Sequence, residues 1–478
     1  MPSREKVLPA CLFLVLAVVA YLLDFNGLYG QDAHEYLRQT QVFYARLQSL
    51  PVPPAGQGEV EFGAGFPLLG ALATFFTGNA VISLQLISWT SAALAVHFFL
   101  TGCRYLLPGS KTESRFLFGL FMLSAPLFIR SGLTSMSDMP ALAMALAGIR
   151  YSADAGEHRN GRLLLLAVLT GGIAVLIRPA MVALLAPVLG WALWRLFRRR
   201  QLWAVSSALG VGMLISGIHF WAKQTVHNAT SFPSVLHNWS FFNFFKRHFS
   251  AETGILDYTL PNGIHILSPL AHHGYFIATF LLFFLFKKTD LHLNVKRVLL
   301  CGFLFYLVLI GGLPVQSIRY LLPVWAVGLW LLFPAWDRFY AYGLYFFSRL
   351  TNILLLAGVV LQAAGIVWNF RPLKTRHDFE RTLARQLKNE LPTESTVYTM
   401  DIDISLKTYL PDIQYRNIWE KVYDSIPSGS YFLFNEPKMR PQWAGRNPMI
   451  NWENAQKKYH LMTVDSFPEG WVLWKIIQ

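Results

Sequence analysis

Charge is what this sequence is short of. Only 14% of its 478 residues are Asp, Glu, Lys or Arg, while 54% are hydrophobic and 15% aromatic. A soluble chain of this length carries nearer a quarter charged residues. The deficit excludes one large soluble core and points to long uncharged segments in a bilayer. Acid is scarcer than base: 27 Asp+Glu against 41 Lys+Arg leave a net charge of +14. In a soluble protein that excess would suggest nucleic acid. Here the basic residues sit mostly in short connections between apolar runs, where they set orientation, so nucleic acid is not an expected partner. Cysteine is nearly absent. Cys11, Cys103 and Cys301 lie within or at the end of apolar runs, which excludes a disulfide framework and a thiolate metal site. Also missing are a Gly-rich phosphate loop, a nucleophile elbow, an internal repeat and the inverted hydropathy symmetry of transporters.

What is there is a series of about eleven apolar runs. The expected spans are Val7–Leu23, Asn79–Leu100, Arg115–Ser131, Asp138–Ser152, Arg162–Ile177, Pro179–Leu196, Leu202–Trp221, His273–Phe286, Arg297–Leu313, Arg319–Pro334 and Gly343–Trp368. Several are short for a hydrocarbon layer of about 30 Å and must tilt or lie partly buried. Phe66–Phe76 is too short to span and reads as a surface-lying or re-entrant helix. Val7–Leu23 follows Arg4 and Lys6 as a signal segment would. It lacks a small-x-small cleavage site before Asp24, so it reads as a retained anchor.

These runs predict a mostly α, polytopic membrane protein with a small C-terminal α/β domain. Residues 1–370 form the membrane part, with long outer connections at 24–78 and 222–272, and residues 371–478 form the tail. With the N-terminus in the cytoplasm, four basic groups face inward: Arg104, Lys111 and Arg115; Arg150, Arg159 and Arg162; Arg195 and Arg198 to Arg200; Lys287, Lys288, Lys296 and Arg297. This is a consistent positive-inside pattern. Both long connections and the tail then lie on the non-cytoplasmic face. In the tail, Arg376–Leu391 reads as an amphipathic helix. Thr396–Ile402, Ser430–Phe434 and Trp471–Ile477 read as strands, and Ile404–Tyr409 and Glu453–Lys458 as helices.

The outer face is where chemistry is expected. Asp32 and Glu35, in Gln31-Asp32-Ala33-His34-Glu35-Tyr36, follow the first span and could remove a proton from an acceptor hydroxyl. Asp138, in Ser135-Met136-Ser137-Asp138-Met139-Pro140, opens a span on the same face, where Asp or Ser also suits a helix N-cap. Arg178 and Arg319 stand on the outer side against the positive-inside tendency. At that depth they need a partner, either a lipid phosphate or the acids Asp32 and Asp138. The second outer loop holds seven of the 13 histidines, from His219 to His273, together with Lys246, Arg247 and the aromatics Phe232, Trp239, Phe241, Phe242, Phe244 and Phe245. It suits a headgroup zone, either gripping a phosphate and an acyl chain or simply lying in the interface. No histidine pair there has metal-helix spacing. The sequons at Asn228 and Asn238 matter only in a cell that glycosylates asparagine. Asp401 and Asp403 read as caps of the following helix.

Four of these features, in order, resemble the GT-C fold membrane glycosyltransferases, in the branch of protein O-mannosyltransferases and the lipid A aminoarabinose transferase. They are the acid after the first span (Asp32), the Phe66-Pro67-Leu68-Leu69 stretch, the Ser-Asp-x-Pro group (Ser137, Asp138, Pro140) and the Arg319-Tyr320-Leu321-Leu322-Pro323 run. The resemblance covers about the first 340 residues. Phe66 replaces the first proline of the branch's Pro-Pro-Leu stretch, and Asp32-Ala33-His34-Glu35 stands where many relatives have adjacent acids. The resemblance implies transfer of a sugar from a polyprenyl- or dolichyl-phosphate donor to a lipid, glycan or protein hydroxyl on the outer face of a bacterial or archaeal membrane. Asp32 would be the general base, with Glu35 as a second candidate, and Asp138 would orient it or the acceptor. Arg319 and Arg178 would hold the leaving phosphate, with Tyr320, Lys246 and Arg247 nearby. A divalent cation is left open. The competing readings are a transporter or lipid flippase, which would want mid-span acids, and a polymerase of lipid-linked glycans.

Overall fold

The computed structural model describes residues 4–51, 63–225, 236–251, 254–275, 279–287, 290 and 294–477. The described residues are 71% helical. In order run α1 (Arg4–Leu22), α2 (Gly30–Leu47), α3 (Gly65–Thr77), α4 (Ala80–Leu106), α5 (Thr112–Leu123), α6 (Pro126–Leu133), α7 (Asp138–His158), α8 (Gly161–Ile177), α9 (Met181–Arg198) and α10 (Leu202–Thr225). After a two-stranded hairpin, β1 (His248–Ala251) with β2 (Gly254–Asp257), come α11 (Asn294–Gly311) and α12 (Leu322–Glu390).

Local sequence explains the breaks. Gly78, in the left-handed region at φ 66°, ends α3. Asn79 then caps α4, its side chain accepting from the Val81 and Ile82 amides at 2.9 and 3.2 Å. Asn160 repeats the device at α8, accepting from Arg162 and Leu163. Such caps satisfy amides that a helix start leaves unpaired. Small residues set the packing: α7 buries Ala141, Ala143, Ala145 and Ala147. A Cβ added at Gly148 would lie 3.1 Å from Gly171 Cα in α8, so the two backbones come close, as small residues permit in membranes.

Six helical segments are long and apolar enough to cross a membrane: Ala80–Leu106, Met181–Arg198, Leu202–Thr225, Asn294–Gly311, Ile318–Gly343 and Leu356–Glu390. A seventh is possible if the bent pair α5 and α6 is one span. Of the eleven expected runs, six, or seven with the bent pair, are long and apolar enough among the described residues. The run Arg115–Ser131 is broken at Pro126, which lacks an amide donor, and its halves meet at 67°. Helix in the expected His273–Phe286 span is confined to Thr279–Phe284 among the described residues. Val7–Leu22, Gly65–Thr77 and Gly161–Ile177 are apolar but shorter. The first long connection is largely helical: α2, polar on one side, buries Ala33, Tyr36, Leu37, Val42 and Phe43.

Helical backbone is continuous over the 69 residues of α12, yet α12 is no single rod. Trp325 packs on the Tyr275 ring at 5.4 Å, and Gln362 donates to the Tyr275 carbonyl at 3.0 Å. A straight helix would separate those 37 positions by about 55 Å. The chain doubles back between them, so two spans share α12.

The tail has its own core around Leu387, Val397, Phe432, Phe434, Trp452 and Trp471. Its sheet runs β4-β3-β5-β7-β6, with β3 (Thr396–Thr399) parallel to β4 (Gln414–Asn417) and β5 (Tyr431–Phe434). The strands β7 (Trp471–Ile477) and β6 (His460–Phe467) add antiparallel. The sequence marked the three inner strands. It did not mark β4 and β6, which are edges and carry more polar side chains.

Asp401 and Asp403 do not cap α13 (Asp403–Tyr409) by side chain; Ile402 holds the N-cap position. Asp403 instead accepts from Gln31 at 2.6 Å and Asn417 at 2.8 Å, joining α2 to the tail. Burial pushes its carboxyl from 3.8 up to about 6, although the bonds from Asn417 and Gln31 pull it down. The folded protein then holds this proton more tightly than the unfolded chain. Its contribution is fully favourable below about pH 4 and is lost as the pH rises through about 6. Asp403→Asn should flatten that part of the stability profile. Melting temperatures of both proteins from pH 4 to 7 check this: parallel curves would refute it.

Candidate active site

The turn between α1 and α2 is held to the segment before α7. The Ser135 amide donates to the Gly27 carbonyl at 2.9 Å, and a Cβ at Gly27, whose φ is +84°, would collide with Ser135 Oγ. Tyr36 Oη donates to Ser137 Oγ at 2.9 Å. These contacts bring Asp32, in the first turn of α2, toward Asp138, the first residue of α7.

Two arginines bind the acids together. Arg319 Nη2 lies 3.0 Å from Asp32 Oδ2, and its Nη1 lies 3.9 Å from Asp138 Oδ2. Arg178 Nη2 lies 2.6 Å from Asp138 Oδ1. Of the two partners foreseen for these arginines, the acids are the ones seen. Arg178 is also stacked on Tyr320, 5.1 Å from the ring centre, and its Nη1 is buried with no hydrogen-bond partner among the described residues. The acids differ in access: Asp138 is 2% exposed and Asp32 is 36%. Asp138 therefore anchors guanidinium groups, while Asp32 can meet a substrate. The expected N-cap at α7 is not formed by a side chain; Ser137 serves Tyr36 and Asp138 serves Arg178.

Asp32, Asp138, Arg178, Arg319 and Tyr320 line one cavity of about 1030 Å³, its open mouth included. Tyr36, Tyr306 and Asn238 complete its polar wall. Beside it lies a second cavity of about 1070 Å³, bounded by α8, α9 and α10 and lined almost wholly by apolar residues, among them Val168, Leu176, Val182, Leu189 and Ile215. Pro179 lines both cavities, so the charged pocket and the apolar one share a wall.

Three expected site residues lie elsewhere. Glu35 is 1% exposed and absent from the cavity wall. Its carboxylate accepts from Arg38 at 2.8 and 2.9 Å and from Gln39 at 2.8 Å, bonds a helix offers at three and four residues' spacing. Glu35→Gln should leave turnover within a factor of about three and lower the melting temperature instead; a loss as deep as that of an Asp32 variant would contradict this placement. Lys246 and Arg247 are solvent-exposed and do not line the cavity. Arg247 donates to His248, which pairs with Asp257 across the β1–β2 hairpin. His227, Asn228 and Phe232 lie outside the described residues.

A divalent cation does not fit the donor set. Among the described residues no group of three or more His, Cys, Asp or Glu could hold a metal, and guanidinium groups already occupy Asp32 and Asp138.

No family model matches the sequence, and no curated protein matches it. Its fold is the GT-C fold of membrane glycosyltransferases. It is similar to ArnT from Cupriavidus metallidurans bound to undecaprenyl phosphate, with a TM-score of 0.60 at 14% identity, over 99% of this chain and 98% of that one. The apo state of ArnT gives 0.59 at 14%, over 96% and 97%. The arabinofuranosyltransferase AftD from Mycobacteria gives 0.50 at 13% identity, over 98% of this chain and 40% of that one.

Proposed function

We propose that the protein is an integral-membrane glycosyltransferase that moves a sugar from a polyprenyl-phosphate donor to an acceptor hydroxyl on the non-cytoplasmic face. One observation carries this reading: a pocket with two carboxylates and two guanidinium groups shares the wall at Pro179 with an apolar cavity among α8, α9 and α10. A long isoprenoid needs the apolar cavity, and its phosphate needs the guanidinium groups. The ArnT structure with undecaprenyl phosphate supports the donor class by likeness.

The roles follow from access and charge. The acceptor oxygen attacks the anomeric carbon while Asp32 takes its proton. The bond from that carbon to the phosphate oxygen breaks, and polyprenyl phosphate leaves with the electron pair. Negative charge grows on the phosphate at that moment, where Arg319 and the unpartnered Nη1 of Arg178 can meet it. Asp138 holds both arginines in place and does not touch the acceptor. The Asp32–Arg319 ion pair also gives an order of events: an arriving phosphate competes for Arg319, and the Asp32 carboxylate is then left to the acceptor hydroxyl.

Arg319→Ala should therefore weaken use of the donor more than of the acceptor. Steady-state kinetics with purified polyprenyl-phosphate sugar test this: the donor KM rises by about tenfold or more while the acceptor KM holds. Equal effects on both would argue against the phosphate role. Mass spectrometry of envelope glycans and glycoproteins, with and without the gene, would name the sugar and its destination.

A further inference from the structure

A third cavity lies where the tail docks on the start of α2. It encloses about 820 Å³, mouth included, and Gln31, Asp401, Asn417, Trp419, Lys438 and Trp443 line it. Gln31 adjoins Asp32 in sequence, so the two side chains leave neighbouring Cα atoms about 3.8 Å apart and enter different cavities. The cleft stands at the carboxyl ends of parallel strands. Asp401 follows β3, Asn417 and Trp419 end and follow β4, and the helix Glu436–Trp443 after β5 supplies Lys438 and Trp443. From β3 the chain crosses to β4 on one side and later returns to β5 on the other. Such reversals open crevices where α/β sheets bind ligands.

We infer that this cleft binds the hydroxyl-rich saccharide part of the acceptor. The acceptor role rests on the proposed transferase; the saccharide binding does not. The lining has the chemistry for sugar rings. Trp419 and Trp443 meet edge to face, with centroids 6.2 Å apart; Trp443 is buried and backs Trp419, whose part-exposed ring can meet the C–H face of a sugar. Charge at its rim matches sugar hydroxyls, in the Lys438–Asp401 pair at 2.6 Å, while the Gln31 and Asn417 amides are held in place by Asp403 and by the Ser405 and Trp419 amides. Asp401 takes the uncommon φ of +67° for a non-glycine residue, a strain that gathers at functional sites. Beneath them Asp403, 4% exposed, fixes Gln31 and Asn417 through one oxygen each. A peptide would seek a row of unpaired backbone groups along a strand. The cleft meets the strands end-on and offers no such row.

The test uses the full-length protein in nanodiscs, fluorescently labelled, on an array of oligosaccharides and Ser/Thr-containing peptides. Expected is binding to one or more saccharides, weakened at least about tenfold by Trp419→Ala and by Lys438→Ala and restored by Trp419→Tyr. Lys438 is 45% exposed, so its variant should fold even where the Trp419 variant does not; melting curves check both. Binding to peptides alone, no saccharide binding, or full binding by Lys438→Ala together with a folded Trp419→Ala would overturn the inference. Saccharide binding with these losses, but without sugar transfer by the wild type, would leave the cleft standing and sink the transferase.

Discussion

Asp32→Asn should abolish sugar transfer and leave the protein folded. The expected loss of turnover is about 10² to 10⁴-fold, the usual contribution of a positioned general base. Asparagine keeps the shape of the side chain and one oxygen to accept from Arg319, now 3.0 Å from Asp32. At 36% exposure the position has little packing to lose, so the melting temperature should stay near that of the wild type. The measurement is turnover of purified protein with a polyprenyl-phosphate sugar, alongside thermal unfolding. Near-normal turnover would remove Asp32 from the mechanism. A collapse of stability would show instead that the Asp32–Arg319 pair holds the fold, and the activity loss would then say nothing about a base.

Asp32 stands out in the sequence, and Glu35 is drawn in beside it, for one physical reason. Asp32, Asp138, Arg178 and Arg319 each interrupt an apolar context at the membrane edge, where an unpaired charge is costly. Each is therefore conspicuous alone, and loop parity along the chain puts all four on one face. Their joining through Arg319 is legible only as one of two alternatives, because it depends on how α2 and α7 meet. Glu35 was grouped with Asp32 because the segment read as a loop. Read as a helix, Glu35-x-x-Arg38 is an ion pair one turn long, and Tyr36 falls one turn after Asp32. That reading would have brought Tyr36 to the cavity and taken Glu35 away from it. Tyr306 carries no such signal, being one aromatic in an apolar run. Hydropathy also averages across Pro126, so one apolar run covers two helices that meet at 67°.

Arg178→Ala should be the most damaging change to stability. Asp138 is 2% exposed, and Arg178 is its 2.6 Å partner; Arg319 stands at 3.9 Å and is also engaged with Asp32. Removing one member of a buried ion pair leaves an uncompensated charge, at a typical cost of about 3–5 kcal/mol. The double variant Arg178→Ala/Asp138→Ala removes both charges and should recover much of that loss, so the two changes should be strongly non-additive. Equilibrium unfolding of the four proteins in one detergent measures the coupling. Activity should not follow stability: the double variant regains the fold but lacks a phosphate-binding guanidinium, and it stays inactive. Additive losses would mean that Asp138 finds enough compensation in Arg319 alone, and the task of holding that carboxylate would pass from Arg178 to Arg319. Recovery of activity along with stability would mean that Arg178 serves only to neutralise Asp138, and the phosphate would then rest on Arg319.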